Sequence, residues 1–208
     1  MVRGHVIDHA PALAHAVKVA AVLARHLPDP PPQLLAAAQL HDAPEYAPTG
    51  IDLDTLLTTR LGPAVTTVVR GMQHEHEALA ASATTDQSTA DRWTLHASTA
   101  DKIVSFRSIL GRAERATDAA NYWATRTAFL HRVDHFRAFH TTASAHLPER
   151  MSTNLARLVT AAEHAAATFT SNAPPPSTPG AHTTVKVTRC CPQTPAFVRC
   201  AGPRQILF

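Results

Sequence analysis

The sequence predicts an all-α fold: a compact multi-helix bundle over residues 1–170, followed by a disordered tail over 171–208. Three observations predict it. The 208 residues are 45% apolar but only 5% aromatic, so the core must be built mainly from Ala, Leu and Val. Ala and Leu are strong helix formers. Apolar residues also recur three and four positions apart over most of the chain, and no alternating strand pattern of useful length appears. Finally, seven of the sixteen prolines fall in the last 38 residues, where Ser, Thr, Gly and Asn fill the gaps and periodicity stops.

The elements follow in order. Val17, Ala20, Ala21 and Ala24 mark a first helix, ended by the prolines between Pro28 and Pro32. Pro32 suits a first helical position and opens a second helix over Leu34–Tyr46. That helix is apolar almost all round from Leu34 to Leu40 and reads as buried. Asp52-Leu53-Asp54 looks like the cap region of a short helix ending at Gly62. Pro63 begins the next, which runs through Val65, Val68 and Val69 to about Leu79. Ser82 to Thr89 reads as a loop. A long helix is expected from Trp93 to Ala113, and two more over Ala119–Phe139 and Glu149–Thr168.

Composition excludes several function classes. The tail carries Lys186, Arg189, Arg199 and Arg204 with no acid, so the formal +3 of the whole chain belongs to it and the helical part is near neutral. A nucleic-acid partner is therefore not expected. All three cysteines (Cys190, Cys191, Cys200) lie in the tail, at a spacing that suits neither a disulfide framework nor a zinc knuckle. No run of eighteen apolar residues appears, and His, Asp and Lys interrupt every apolar run near the start. A cytoplasmic protein with no membrane contact is expected.

Chemistry is signalled by polar residues where the pattern demands apolar ones. His41 and Asp42 end the apolar run Leu34–Leu40, Asp101 precedes Ile103-Val104-Ser105-Phe106, and His15 opens the first apolar stripe. An unpaired buried carboxylate costs several kcal/mol, roughly, so such a group must be neutralised, paired or bound to a metal. Two imidazoles and two carboxylates suit a divalent ion, Mn²⁺ foremost, with Co²⁺, Fe²⁺ or Zn²⁺ as alternatives. The absence of cysteine argues against a closed structural zinc site. Glu45 follows His41 by one helical turn, where it can take up or direct a proton beside Asp42. Lys102 and Arg107 are expected to contact a substrate phosphate, Arg107 through two bonds at once.

His15, the pair His41-Asp42 within HDAPEY, and Asp101 within TADKIVSFRS together resemble the HD superfamily of metal-dependent phosphohydrolases. Within it the likeness is greatest to the hydrolase domain of alarmone enzymes, both the SpoT type and the small stand-alone hydrolases. The gaps of 26 residues from His15 to His41 and 59 from Asp42 to Asp101 match that pattern. The likeness spans roughly residues 15–115. It implies an HD-domain bundle, a divalent ion on His15, His41, Asp42 and Asp101, and a nucleotide substrate. Guanosine 3′,5′-bis(diphosphate) is the leading candidate. Alarmone hydrolases usually carry Glu-Asp where this chain has Glu45-Tyr46, and Asn where it has Ser105. The form without the second acid is also similar to 5′-deoxynucleotidases of the same superfamily. A non-catalytic nucleotide-binding module is the third reading.

Other polar residues are read more plainly. His9 is a competitor for the first ligand position but lies ahead of Pro11. His74 and His76, two positions apart, do not share a helix face, so His74-Glu75-His76-Glu77 reads as a solvated surface. Arg126, His131, Arg132 and Arg137 read as the coat of an exposed helix.

Overall fold

The computed structural model describes residues 6–7, 10–81 and 91–171. The expected disordered tail, the loop Ser82–Thr89 and His9 lie outside the described residues. The fold is all-α. Among the described residues ten α-helices run in chain order: α1 (Ala12–His26), α2 (Pro32–Leu40), α3 (Ala43–Tyr46), α4 (Leu53–Leu61), α5 (Pro63–Ala80), α6 (Arg92–Ala113), α7 (Ala119–Ala124), α8 (Thr127–Leu130), α9 (Val133–Ala143) and α10 (Glu149–Ser171). The exception is a two-residue antiparallel pairing of Val6–Ile7 with Ala10–Pro11 just before α1.

Local chemistry sets the helix ends. Pro32 and Pro63 open α2 and α5, where a missing N–H costs nothing. Side chains of Asp52, Asp91 and Asp118 accept backbone N–H bonds at the starts of α4, α6 and α7. Gly62, at φ 95°, joins α4 to α5 in a conformation other residues rarely adopt.

Helix α6 is the axis of the molecule. Every residue from Thr94 to Val104 is buried, because α1, α2, α5 and α10 all pack on it. Leu23, Val19, Met72, Ile103, Ile109 and Leu155 fill the space between these helices. Beyond Asp101 the core turns aromatic: Phe106 packs edge-to-face on Phe129 and Phe136, with ring centroids 5.3 and 4.9 Å away.

Three expectations are corrected. Helix α2 is not enclosed all round: Leu34, Ala37 and Ala38 are buried and Leu35, Ala36 and Leu40 half-buried, while Pro32, Gln33 and Gln39 are exposed. The expected helix Leu34–Tyr46 breaks at His41-Asp42. Pro44 has no N–H to donate to the Leu40 carbonyl, so the ladder cannot run through it, and it sits instead in the first turn of α3. The expected helix Ala119–Phe139 is three short helices. Thr125 donates its hydroxyl to the Tyr122 carbonyl at 2.7 Å, competing with the helical bond there.

Candidate metal centre

The break after α2 shapes the site. Carbonyls in the last turn of a helix lack helical partners, and His41 uses one of them: its Nδ1–H donates to the Ala38 carbonyl at 2.8 Å. This bond orients the ring and turns Nε2 towards the carboxylates of Asp42, at 3.1 Å, and Asp101, at 3.7 Å. From α1, His15 reaches the same place. It lies on the inner stripe with Ala12, Ala16, Val19 and Leu23, and its Nε2 is 2.8 Å from Asp101 Oδ1. Asp101 sits in the middle of α6, where it is 1% exposed.

Four residues from three parts of the chain thus converge in a buried cluster. Glu45 joins it from α3 with its side chain 24% exposed, so it occupies the open rim. One ligand atom each from His15, His41 and Asp42 lie within 4.8 Å of one another, and so do those of Asp42, Glu45 and His76.

His76 departs from the sequence reading. The segment His74 to Glu77 was expected to be solvated throughout, but only His74 and Glu77 are exposed. Glu75 and His76 are buried. His76 Nε2 is 3.5 Å from Asp101 Oδ2, and Nδ1 is 3.5 Å from Glu45 Oε1. The signal was available: Val65, Val68, Val69, Met72 and Leu79 form the buried stripe of α5, and position 76 is in phase with it.

The two expected phosphate contacts lie elsewhere. The Lys102 ammonium is buried in an ion pair with Glu75 and sits 4.3 Å from the ring centroid of Phe139. A sealed, paired ammonium is not presented to a phosphate arriving from solvent. Arg107 is exposed and donates to Asn154 on α10 at 3.3 Å. It is six residues beyond Asp101, about 9 Å further along the helix and turned away from it.

The electrostatics call for positive charge. Burial pushes the Asp42 carboxyl up, and the Asp101 carboxylate adds to that against the pull of His41. Burial would also raise Asp101, but His15, His76 and His41 outweigh it and hold the group well below the usual carboxylate range. Burial opposes protonation of His15 and His76, yet Asp101 outweighs it for both, aided by Glu45 for His76. The His15 pKa is raised, and His76 is pushed up to about 10. Tyr46 follows Glu45; burial, then Asp42 and Glu45, push its phenol up to about 12.

The cluster fits a divalent ion. His41 Nε2 and Asp42 Oδ2 are buried without a hydrogen-bond partner, which natural cores rarely tolerate. Ligand atoms about 2.1 Å from an octahedral ion stand about 3 Å apart along each edge. The separations of 2.8, 3.1 and 3.7 Å between His and Asp atoms lie near that value. The donor set, imidazole with carboxylate and no thiolate, suits Mn²⁺, Fe²⁺, Co²⁺ or Zn²⁺ alike.

Comparison with protein-family models, with curated proteins and with solved structures finds no match. Among the described residues, no helix is long and apolar enough to cross a membrane.

Proposed function

We propose that this chain is a metal-dependent phosphohydrolase of the HD type that acts on a nucleotide. One observation carries the reading. His15, His41, Asp42 and Asp101, the four residues of the sequence resemblance, meet in one buried cluster whose His41 Nε2 and Asp42 Oδ2 make no hydrogen bond. Four polar positions spread over 87 residues converge in the core, and their pairing with one another still leaves buried atoms without a hydrogen bond.

Those four residues would hold the ion, with His76 as a further donor; Mn²⁺ is the proposed occupant. A bound divalent ion supplies Lewis acidity towards a phosphoryl oxygen and lowers the pKa of water. The chain's own residues supply the rest. The Ala38 carbonyl fixes the His41 tautomer, an arrangement that holds ligand histidines in place elsewhere. Glu45, partly exposed at the rim, takes the proton of the attacking water.

Guanosine 3′,5′-bis(diphosphate) is the leading substrate, from the pattern of residues 15–115. The presence of Tyr46 instead of a second acid favours a second reading, a nucleoside 5′-monophosphate. The test is release of phosphate and pyrophosphate from a nucleotide panel with Mn²⁺, comparing wild type with Glu45→Gln. Pyrophosphate from the alarmone supports the first reading, and orthophosphate from monophosphates alone supports the second. In either case Glu45→Gln is expected to lose roughly 100-fold in rate, the usual scale of a positioned acid–base group. No turnover of any nucleotide, with binding retained, would make the protein a nucleotide-binding module instead.

A further inference from the structure

Beside the cluster lies a feature that the hydrolytic reading does not use: the buried ion pair between Lys102 and Glu75. Each partner is the chain neighbour of a cluster residue, Glu75 of His76 on α5 and Lys102 of Asp101 on α6. Both are almost fully buried, with 3% and 4% exposure. Replacing such pairs by apolar residues is often neutral or stabilising, so stability alone does not account for a charged pair in the core.

Its position does. Contacts between α5 and α6 advance together along both helices. A Cβ on Gly71 would sit 2.7 Å from the Thr94 side chain, Glu75 meets Lys102, and Leu79 lies with Ser105 around one small hollow. The Lys102 ammonium also stands over the Phe139 ring, which ties α9 to the same point. Successive helix residues are 100° apart, so clamping residue 75 to α6 fixes the direction in which residue 76 points.

We propose that the Lys102–Glu75 ion pair is the positioning element of the metal centre, holding α5 on α6 so that His76 meets Asp101 and joins the ligand set. This rests on the cluster being a metal centre. Lys102 and Glu75 touch neither ion nor substrate; they act through His76.

Co²⁺ tests it, because its visible absorption reports coordination as well as affinity. The full chain is titrated as wild type, His76→Ala, the apolar double variant Glu75→Leu with Lys102→Met, and Lys102→Arg. Folding is followed by circular dichroism. The folded apolar double variant is expected to bind Co²⁺ at least tenfold more weakly, with its absorption bands changed in the manner of His76→Ala. Lys102→Arg, which keeps the charge pair, is expected to stay within threefold of wild type. Wild-type affinity and bands in the folded double variant would overturn the positioning role alone. So would a Lys102→Arg protein as impaired as the apolar pair, or a double variant that fails to fold, which would make the pair a requirement of the whole fold. No specific Co²⁺ binding by wild type would instead remove the metal reading, and the proposal with it.

Discussion

At the scale of single residues, the site is a problem of charge. Asp42 and Asp101 are both buried in it, and the charge around them favours the protonated forms of His15 and His76. A metal must displace those protons, so its apparent affinity should fall as pH falls. Competition by one proton amounts to about tenfold per pH unit, continuing upwards towards the His76 value of about 10. Titrations with Mn²⁺ between pH 6.5 and 8.5 would show this slope, and a flat profile would contradict it. For the metal-free protein the sign is the reverse. A His76 pKa raised above its unfolded value contributes stability that is complete below about pH 6.5 and lost as pH rises through about 10. Chelated protein should therefore melt at a lower temperature at pH 10 than at pH 7, and His76→Ala should reduce that difference.

At this scale the sequence was legible where a polar residue interrupts an apolar run. His41, Asp42 and Asp101 were found in that way. His76 interrupts a stripe as clearly, but it stands between the exposed His74 and Glu77, which hid its phase. Lys102 could not be placed from sequence. Its ammonium could reach either solvent or Glu75, and only the packing of α5 and α9 decides between them.

At the scale of helices, the site depends on how closely α5 approaches α6. Gly71 permits that approach, because an added Cβ would lie 2.7 Å from Thr94 Cγ2. Gly71→Ala should destabilise the fold by roughly 1–3 kcal/mol, the usual cost of overpacking, despite the better helix propensity of Ala. Thermal melting of Gly71→Ala, Thr94→Ala and the double variant would check this. Trimming Thr94 should restore part of the loss, and strictly additive effects would mean the two side chains do not meet. Helix positions were legible because caps and prolines punctuate the chain: α4, α5, α6 and α10 lie within a few residues of expectation. Less legible were the breaks inside the α2–α3 and α7–α9 stretches, which rest on one proline and on hydroxyl competition. The end of α2 at Leu40 has a use, since the Ala38 carbonyl in its last turn is left to orient His41.

Across the whole molecule, α6 is the surprise. Its sequence reads as polar, with Thr94, His96, Ser98, Thr99, Asp101 and Lys102 in close succession, yet it is the most enclosed helix. Apolar content pointed instead to α2, which is not enclosed all round. A helix that carries buried polar groups and an ion pair inside the bundle must look polar, so burial and hydropathy part company along it. The same placement would couple a bound ion to the fold, since the residues that could hold one come from α1, α5, α6 and the α2–α3 break. A free ion concentration 100 times its dissociation constant stabilises the folded state by about 2.7 kcal/mol. For a chain of this size that raises the melting temperature by roughly 5–10 °C, and a chelator should reverse it.

The most direct test of the metal centre is Mn²⁺ binding followed by electron paramagnetic resonance, wild type against Asp101→Asn. Asp101 contacts His15, His41 and His76 together, and Asn preserves its shape while removing its charge. Specific binding is predicted in wild type, with affinity reduced by about 100-fold or more in the variant, beyond the 10–100-fold typical of outer-shell changes. Equal binding by the two proteins, or none by wild type, would contradict the metal centre and the hydrolase built on it.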